Sequence, residues 1–144
     1  MSCKAAINTF NSGTQAVALG GTIALGAAPQ QFGKKSCDRN CSDFILRLNG
    51  NGITAAERGF YKVNVSVTAA PTAAGSVTVT MFNNGVVVPG ATASGSVSTA
   101  NNPTNLSFPA IIYVPCSGPA ANLTLVLTGT ASNVTNVAVT VEKI

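Results

Sequence analysis

No histidine and no tryptophan occur among the 144 residues, and only eight Lys or Arg and four Asp or Glu are present. Ordinary soluble domains carry about a quarter of their residues as charged side chains. From Val63 to Val141, more than half of the chain, there is none. Each shortage excludes chemistry. Without imidazole there is no Ser–His–Asp relay, no Cys–His pair and no histidine metal site. The carboxylates are Asp38, Asp43, Glu57 and Glu142. A glycosidase needs two acids ~5–10 Å apart across a sugar cleft, and Asp38 and Asp43 sit among cations, where salt bridges are the simpler use. Asp38, Asn40 and Asp43 could offer oxygens to calcium, but without the spacing of a dedicated calcium loop. No phosphate-binding loop or dinucleotide fingerprint is present. Neither catalysis nor a cofactor is expected.

Long apolar runs are missing as well. No stretch approaches the ~18 residues of a membrane-spanning helix, and no apolar segment follows Lys4 as a secretory signal requires. The expectation is synthesis in a cytoplasm, with no membrane partner. A basic stripe is missing too. Lys34, Lys35, Arg39, Arg47, Arg58 and Lys62 interleave with Asp38, Asp43 and Glu57, whereas a nucleic-acid footprint needs clustered cations. No nucleic acid is expected as a partner.

What the chain has is Val, Ala, Thr, Asn and Gly. Val and Thr are stiff at the β-carbon and favour strands, and the length fits one domain. Strand candidates are Ala5 to Asn11, two brief pieces within Gln15 to Leu25, Phe44 to Leu48 and Ile53 to Ala56. A clean period of two follows: Tyr61, Val63, Val65 and Val67 alternate with Phe60, Lys62, Asn64, Ser66 and Thr68, and Val77, Val79 and Met81 alternate with Ser76, Thr78 and Thr80. Leu106, Phe108, Ala110, Ile112 and Val114, then Leu123, Leu125 and Leu127, then Val137, Val139 and Val141, continue it. Asn84-Gly85 predicts a tight hairpin, Pro89-Gly90 a turn, and Asn133 a last loop. Strands at ~8–12-residue spacing predict an all-β sandwich or barrel. Residues 1–11 are read as a possible terminal arm, and residues 29–43 as an irregular, cysteine-containing loop within a single domain spanning 1–144.

Four cysteines, Cys3, Cys37, Cys41 and Cys116, allow two disulfides in three pairings. Free thiols remain open as an alternative, as does a zinc site built on the Cys37-x-x-x-Cys41 spacing.

Gly59-Phe60-Tyr61-Lys62-Val63 resembles the glycine–aromatic–tyrosine strand opener of C1q/TNF-like jelly rolls. Phe10-Asn11-Ser12-Gly13 and Gln31-Phe32-Gly33 resemble pieces of the C-terminal domain of the collagen-like spore-surface glycoprotein BclA. Asn84-Gly85-Val86 with Val88-Pro89-Gly90 resembles its hairpin, and Val139 to Ile144 its closing strand. The resemblance implies a jelly-roll sandwich of about ten antiparallel strands, assembling as a homotrimer with apolar and aromatic side chains along its axis. Phe60, Tyr61 and Phe108 then belong to the trimer interface or to the core of their own subunit. The scarcity of charge agrees, because charge is depleted where subunits meet.

The chain departs from the spore protein in having no Gly-X-Y stalk, and its cysteines have no counterpart there. A free-standing head of this kind resembles the capsid decoration proteins and head-fibre heads of tailed bacteriophages. That implies a non-enzymatic virion protein on the capsid exterior, binding and stabilising the major capsid protein of a phage shell. Lys34, Lys35, Asp38, Arg39 and Asp43, or the arm 1–11, are the expected capsid contact. The alternative is a carbohydrate- or receptor-binding head on a fibre, spore or cell surface. Its partner would be a host surface glycan. Glycan sites use aromatic platforms, and Tyr61 and Tyr113 are the only tyrosines, which favours the structural reading.

Overall fold

The computed structural model describes residues 4–33 and 44–144. In chain order the strands among them are β1 (Ala6–Asn11), β2 (Gln15–Val17), β3 (Ala27–Phe32), β4 (Leu46–Asn49), β5 (Gly52–Ala55), β6 (Gly59–Pro71), β7 (Gly75–Asn83), β8 (Val86–Val97), β9 (Thr104–Val114), β10 (Ala121–Gly129) and β11 (Ser132–Lys143). They form two antiparallel sheets. One has the order β3-β1-β11-β6-β9, with β2 also on β11; the other has the order β4-β5-β10-β7-β8.

The core lies between the sheets and is built by alternation. Tyr61, Val63, Val65, Val67 and Ala69 of β6 are buried, as are Val77, Val79 and Met81 of β7 and Leu123, Leu125 and Leu127 of β10. Each fully buried Val, Leu or Met contributes ~1.5–3 kcal/mol. In β11, Val134 and Val137 are both buried, which a strict period of two forbids. The register slips between Thr135 and Ala138, and Asn136 sits at φ 50. One bulge therefore moves Val137, Val139 and Val141 onto the core side.

The structure revises four expectations. Residues 6–11 are not an arm. Strand β1 lies between β11 and β3, paired with both, because Ile7 and Thr9 point into the core. Pro29 to Phe32 is not irregular but forms the end of β3, an edge position where the missing N–H of Pro29 leaves no ladder bond unmade. Pro89-Gly90 does not end a strand. β8 continues through it on the edge of its sheet, with a register shift opposite Met81 and Gly90 at φ 80. Asn133 lies inside β11, paired with Ala16 and Ala70, and the irregularity falls at Asn136 instead.

Candidate functional site: an assembly face and an end cleft

Register fixes what the outer face of the β3-β1-β11-β6-β9 sheet presents. One row across it reads Ile111, Lys62, Glu142, Ala6 and Phe32; the next reads Pro109, Asn64, Thr140, Asn8 and Gln30; the next Ser107, Ser66, Ala138 and Phe10. Lys62 and Glu142 stand directly opposite each other and are the charges on this face among the described strands. Everything else is hydroxyl, amide or apolar.

Two apolar patches stand out. On the β9 side, Phe60, Ile111 and Tyr113 are all more than half exposed, and Val86 and Val87 continue the patch on the adjoining edge strand β8. Val86, Val87, Pro89, Ile111 and Tyr113 line a crevice of about 220 Å³ between the two edges. On the β1–β3 side, Phe10 and Phe32 are exposed, and Phe32 borders a smaller groove floored by Ala6, Asn8 and Gln30. At ~4.8 Å per strand the two patches lie roughly 19 Å apart, so one copy cannot cover its own.

Beyond the Phe60 end of this sheet lies a wider cleft of about 530 Å³, walled by Glu57, Arg58, Phe60, Tyr113, Cys116 and Lys143. The rings of Phe60 and Tyr113 are 4.8 Å apart and tilted by 37°. Lys143 Nζ donates to Glu57 Oε1 at 2.7 Å, and its side chain is only 5% exposed. Buried inside the sandwich, Tyr61 donates its hydroxyl to the Glu57 carbonyl oxygen. Burial, reinforced by the Glu57 charge, pushes the Tyr61 phenol up to about 12, although the hydrogen bond opposes this. Arg58 Nη1 donates to Cys116 Sγ at 2.7 Å. That hydrogen bond, together with attraction to Cys116, holds the guanidinium above its ordinary value, so Arg58 is a permanent cation.

The sequence-derived candidates divide. Tyr61 and Phe108 are buried in the core of their own subunit, whereas Phe60 is exposed on the sheet face. Cys116 is exposed and forms no disulfide among the described residues. Cys3, Cys37, Cys41, Lys34, Lys35, Asp38, Arg39 and Asp43 lie outside the described residues. Among the described residues no group of three or more Cys, Asp or Glu side chains is placed to hold a metal ion.

The sequence reading gave Phe10, Phe32, Ile111 and Tyr113 no place in an interface, yet strand parity marks them. Phe10 is out of phase with Ile7 and Thr9, and Ile111 and Tyr113 are out of phase with Ile112 and Val114. Each is a large apolar residue on the polar side of its strand. Arg58 and Lys143 carried no local signal, because strand ends distant in sequence bring them together.

No protein-family model and no curated protein matches the chain. Solved structures do. Murine APRIL at pH 8.5 superposes with a TM-score of 0.62 at 7% identity, over 98% of this chain and 99% of that one. The globular domain of zebrafish complement 1qA protein gives 0.58 at 9%, over 97% and 96%. PRD1 vertex protein P5 gives 0.52 at 16%, over 100% and 99%. At these identities the likeness is one of fold: the chain is a C1q/TNF-like jelly roll.

Proposed function

We propose that the protein is a non-enzymatic structural component of a phage particle, a homotrimer that sits on the capsid exterior and fastens the shell. The observation that carries this reading is the neutral sheet face with two unlike apolar patches. Exposed patches of this kind mark interaction surfaces. Because the patches differ and lie on opposite sides, Val86, Val87 and Ile111 of one copy meet the Phe10–Phe32 side of the next, and Phe60 and Tyr113, at the end of the patch, stay open to the end cleft. A contact of that kind is heterologous, and it closes into a ring when the rotation allows. Three copies match the homotrimer that the jelly-roll resemblance implies. Similarity in fold to a phage vertex protein over both whole chains supports a place in a virion.

A ring acts by avidity. Three weak footprints on one rigid trimer engage a symmetric shell as a single strong clamp, since each later contact is intramolecular. The shell contact is assigned to Lys34, Lys35, Asp38, Arg39 and Asp43. They hold five of the twelve charged residues, and charge sets orientation and specificity between unlike proteins. The hydrogen bond from Ile45 N to Gly33 O at 2.9 Å joins the chain just before this segment to the chain just after it.

The test is mass spectrometry of density-purified particles from the source lysate. The expected result is recovery with DNA-filled virions, at a fixed ratio to the major capsid protein. K34A/K35A/R39A protein should be lost from those particles while keeping its own oligomeric mass. Recovery from spores or envelopes, with none in virions, would overturn the assignment and favour the BclA-like surface setting.

A further inference from the structure

We propose that the end cleft binds a sugar acid, a pyranose carrying a carboxylate, with Arg58 holding the acid group. The inference goes beyond the assembly reading and does not depend on it.

Three features define the ligand. The first is an uncommitted cation. Glu57 is paired with Lys143, and the exposed Arg58 has no carboxylate partner among the described residues; its contact is the thiol of Cys116. An entering carboxylate gains charge-assisted hydrogen bonds from a planar fork of donors. The second is an apolar wall. Phe60 and Tyr113, paired at 4.8 Å and each more than half exposed, both line the cleft, and the negative quadrupole of an aromatic ring attracts C–H groups. One face of a pyranose ring consists of C–H groups. The third is acceptor capacity. The Glu57 side chain is 26% exposed, leaving its carboxylate open to a ligand hydroxyl, and the Tyr113 phenol can donate or accept.

Simpler ligands fit less well. A purely apolar molecule would strip water from Arg58 without replacing its hydrogen bonds. An inorganic anion would leave the aromatic wall uncovered, and a neutral sugar would leave Arg58 unused. The cleft volume of about 530 Å³ lies within the ~300–1,000 Å³ of small-ligand sites.

Saturation-transfer NMR and titration of the purified full chain would decide the matter, with N-acetylneuraminic acid and glucuronic acid as probes and glucose and inorganic sulfate as comparisons. Both acids should bind, with saturation reaching their ring protons, and glucose and sulfate should bind at least about tenfold more weakly. R58Q should weaken the acids by about tenfold or more with no change in melting temperature or elution volume, since Arg58 is exposed. The proposal is overturned if neither acid binds, if glucose or sulfate matches the acids, or if R58Q keeps full affinity. None of these results bears on the particle or oligomer measurements.

Discussion

Tyr61 joins the core to the end cleft. Its ring is fully buried while its hydroxyl reaches the Glu57 carbonyl, fixing the backbone next to the residue that pairs with Lys143. The phenol is raised to about 12 from the ~10 of an unfolded chain, so the native state holds this proton more tightly than the unfolded state does. The stability it contributes is fully present below pH ~10 and is lost as the pH rises from ~10 towards 12. Melting temperature followed by circular dichroism should therefore fall across that interval. Y61F should lose ~0.5–1.5 kcal/mol at neutral pH through the missing hydrogen bond, and its alkaline decline should be shallower. A Y61F protein that declines as steeply as wild type would place the alkaline loss elsewhere. This residue also shows what alternation alone can reveal. Parity with Val63, Val65 and Val67 marks Tyr61 as inward, and the same parity turns Phe60 outward.

At the scale of elements, left-handed glycines at turns and strand ends separate two kinds of constraint. The β7–β8 hairpin turns on Asn84 at φ 52 and Gly85 at φ 81, both positive, as a type I′ turn requires. A Cβ on Gly85 would meet nothing within 4 Å, so G85A should cost only the left-handed penalty of ~1–2 kcal/mol. Gly129, which ends β10, has φ +90, and a Cβ there would lie 2.5 Å from the backbone oxygen of Ser76. G129A should cost more, ~3 kcal/mol or above, and urea melts of the two variants should rank them in that order. Strand β1 gives a sharper case. Deleting residues 1–11 removes an interior strand and leaves β3 and β11 with bare edges, so the truncated chain should show no cooperative thermal transition. A truncated chain that melts cooperatively would restore the arm. The hairpin and the long β6, β7, β9 and β10 strands were legible because turn chemistry and a period of two are local. Pairing partners are not local. Nothing in Ala6–Asn11 by itself announces that it sits between two strands from distant parts of the chain, and Pro89-Gly90 reads as a turn unless β8 is known to be an edge strand.

For the molecule as a whole, the distribution of charge bears on the proposed assembly. On the outer face of the β3-β1-β11-β6-β9 sheet, Lys62 and Glu142 stand opposite each other, an arrangement that leaves no net charge to repel a neighbour. The apolar patches flank this neutral middle, Phe10 and Phe32 on one side and Ile111 with Val86 and Val87 on the other. An interface built this way is held by burial of the patches, and a cation placed at its centre would be desolvated without a partner. V87K/I111K should therefore dissociate the proposed trimer while leaving the fold intact, because both side chains are exposed in the single chain and contribute little to its core. Light scattering on the eluting protein should give about 43 kDa for wild type, three chains of 14.4 kDa, and the single-chain mass for the variant. If V87K/I111K elutes at the wild-type mass, the β8–β9 edge is not the subunit contact. If wild type itself runs as a single chain, the two patches must be covered by another protein rather than by a copy.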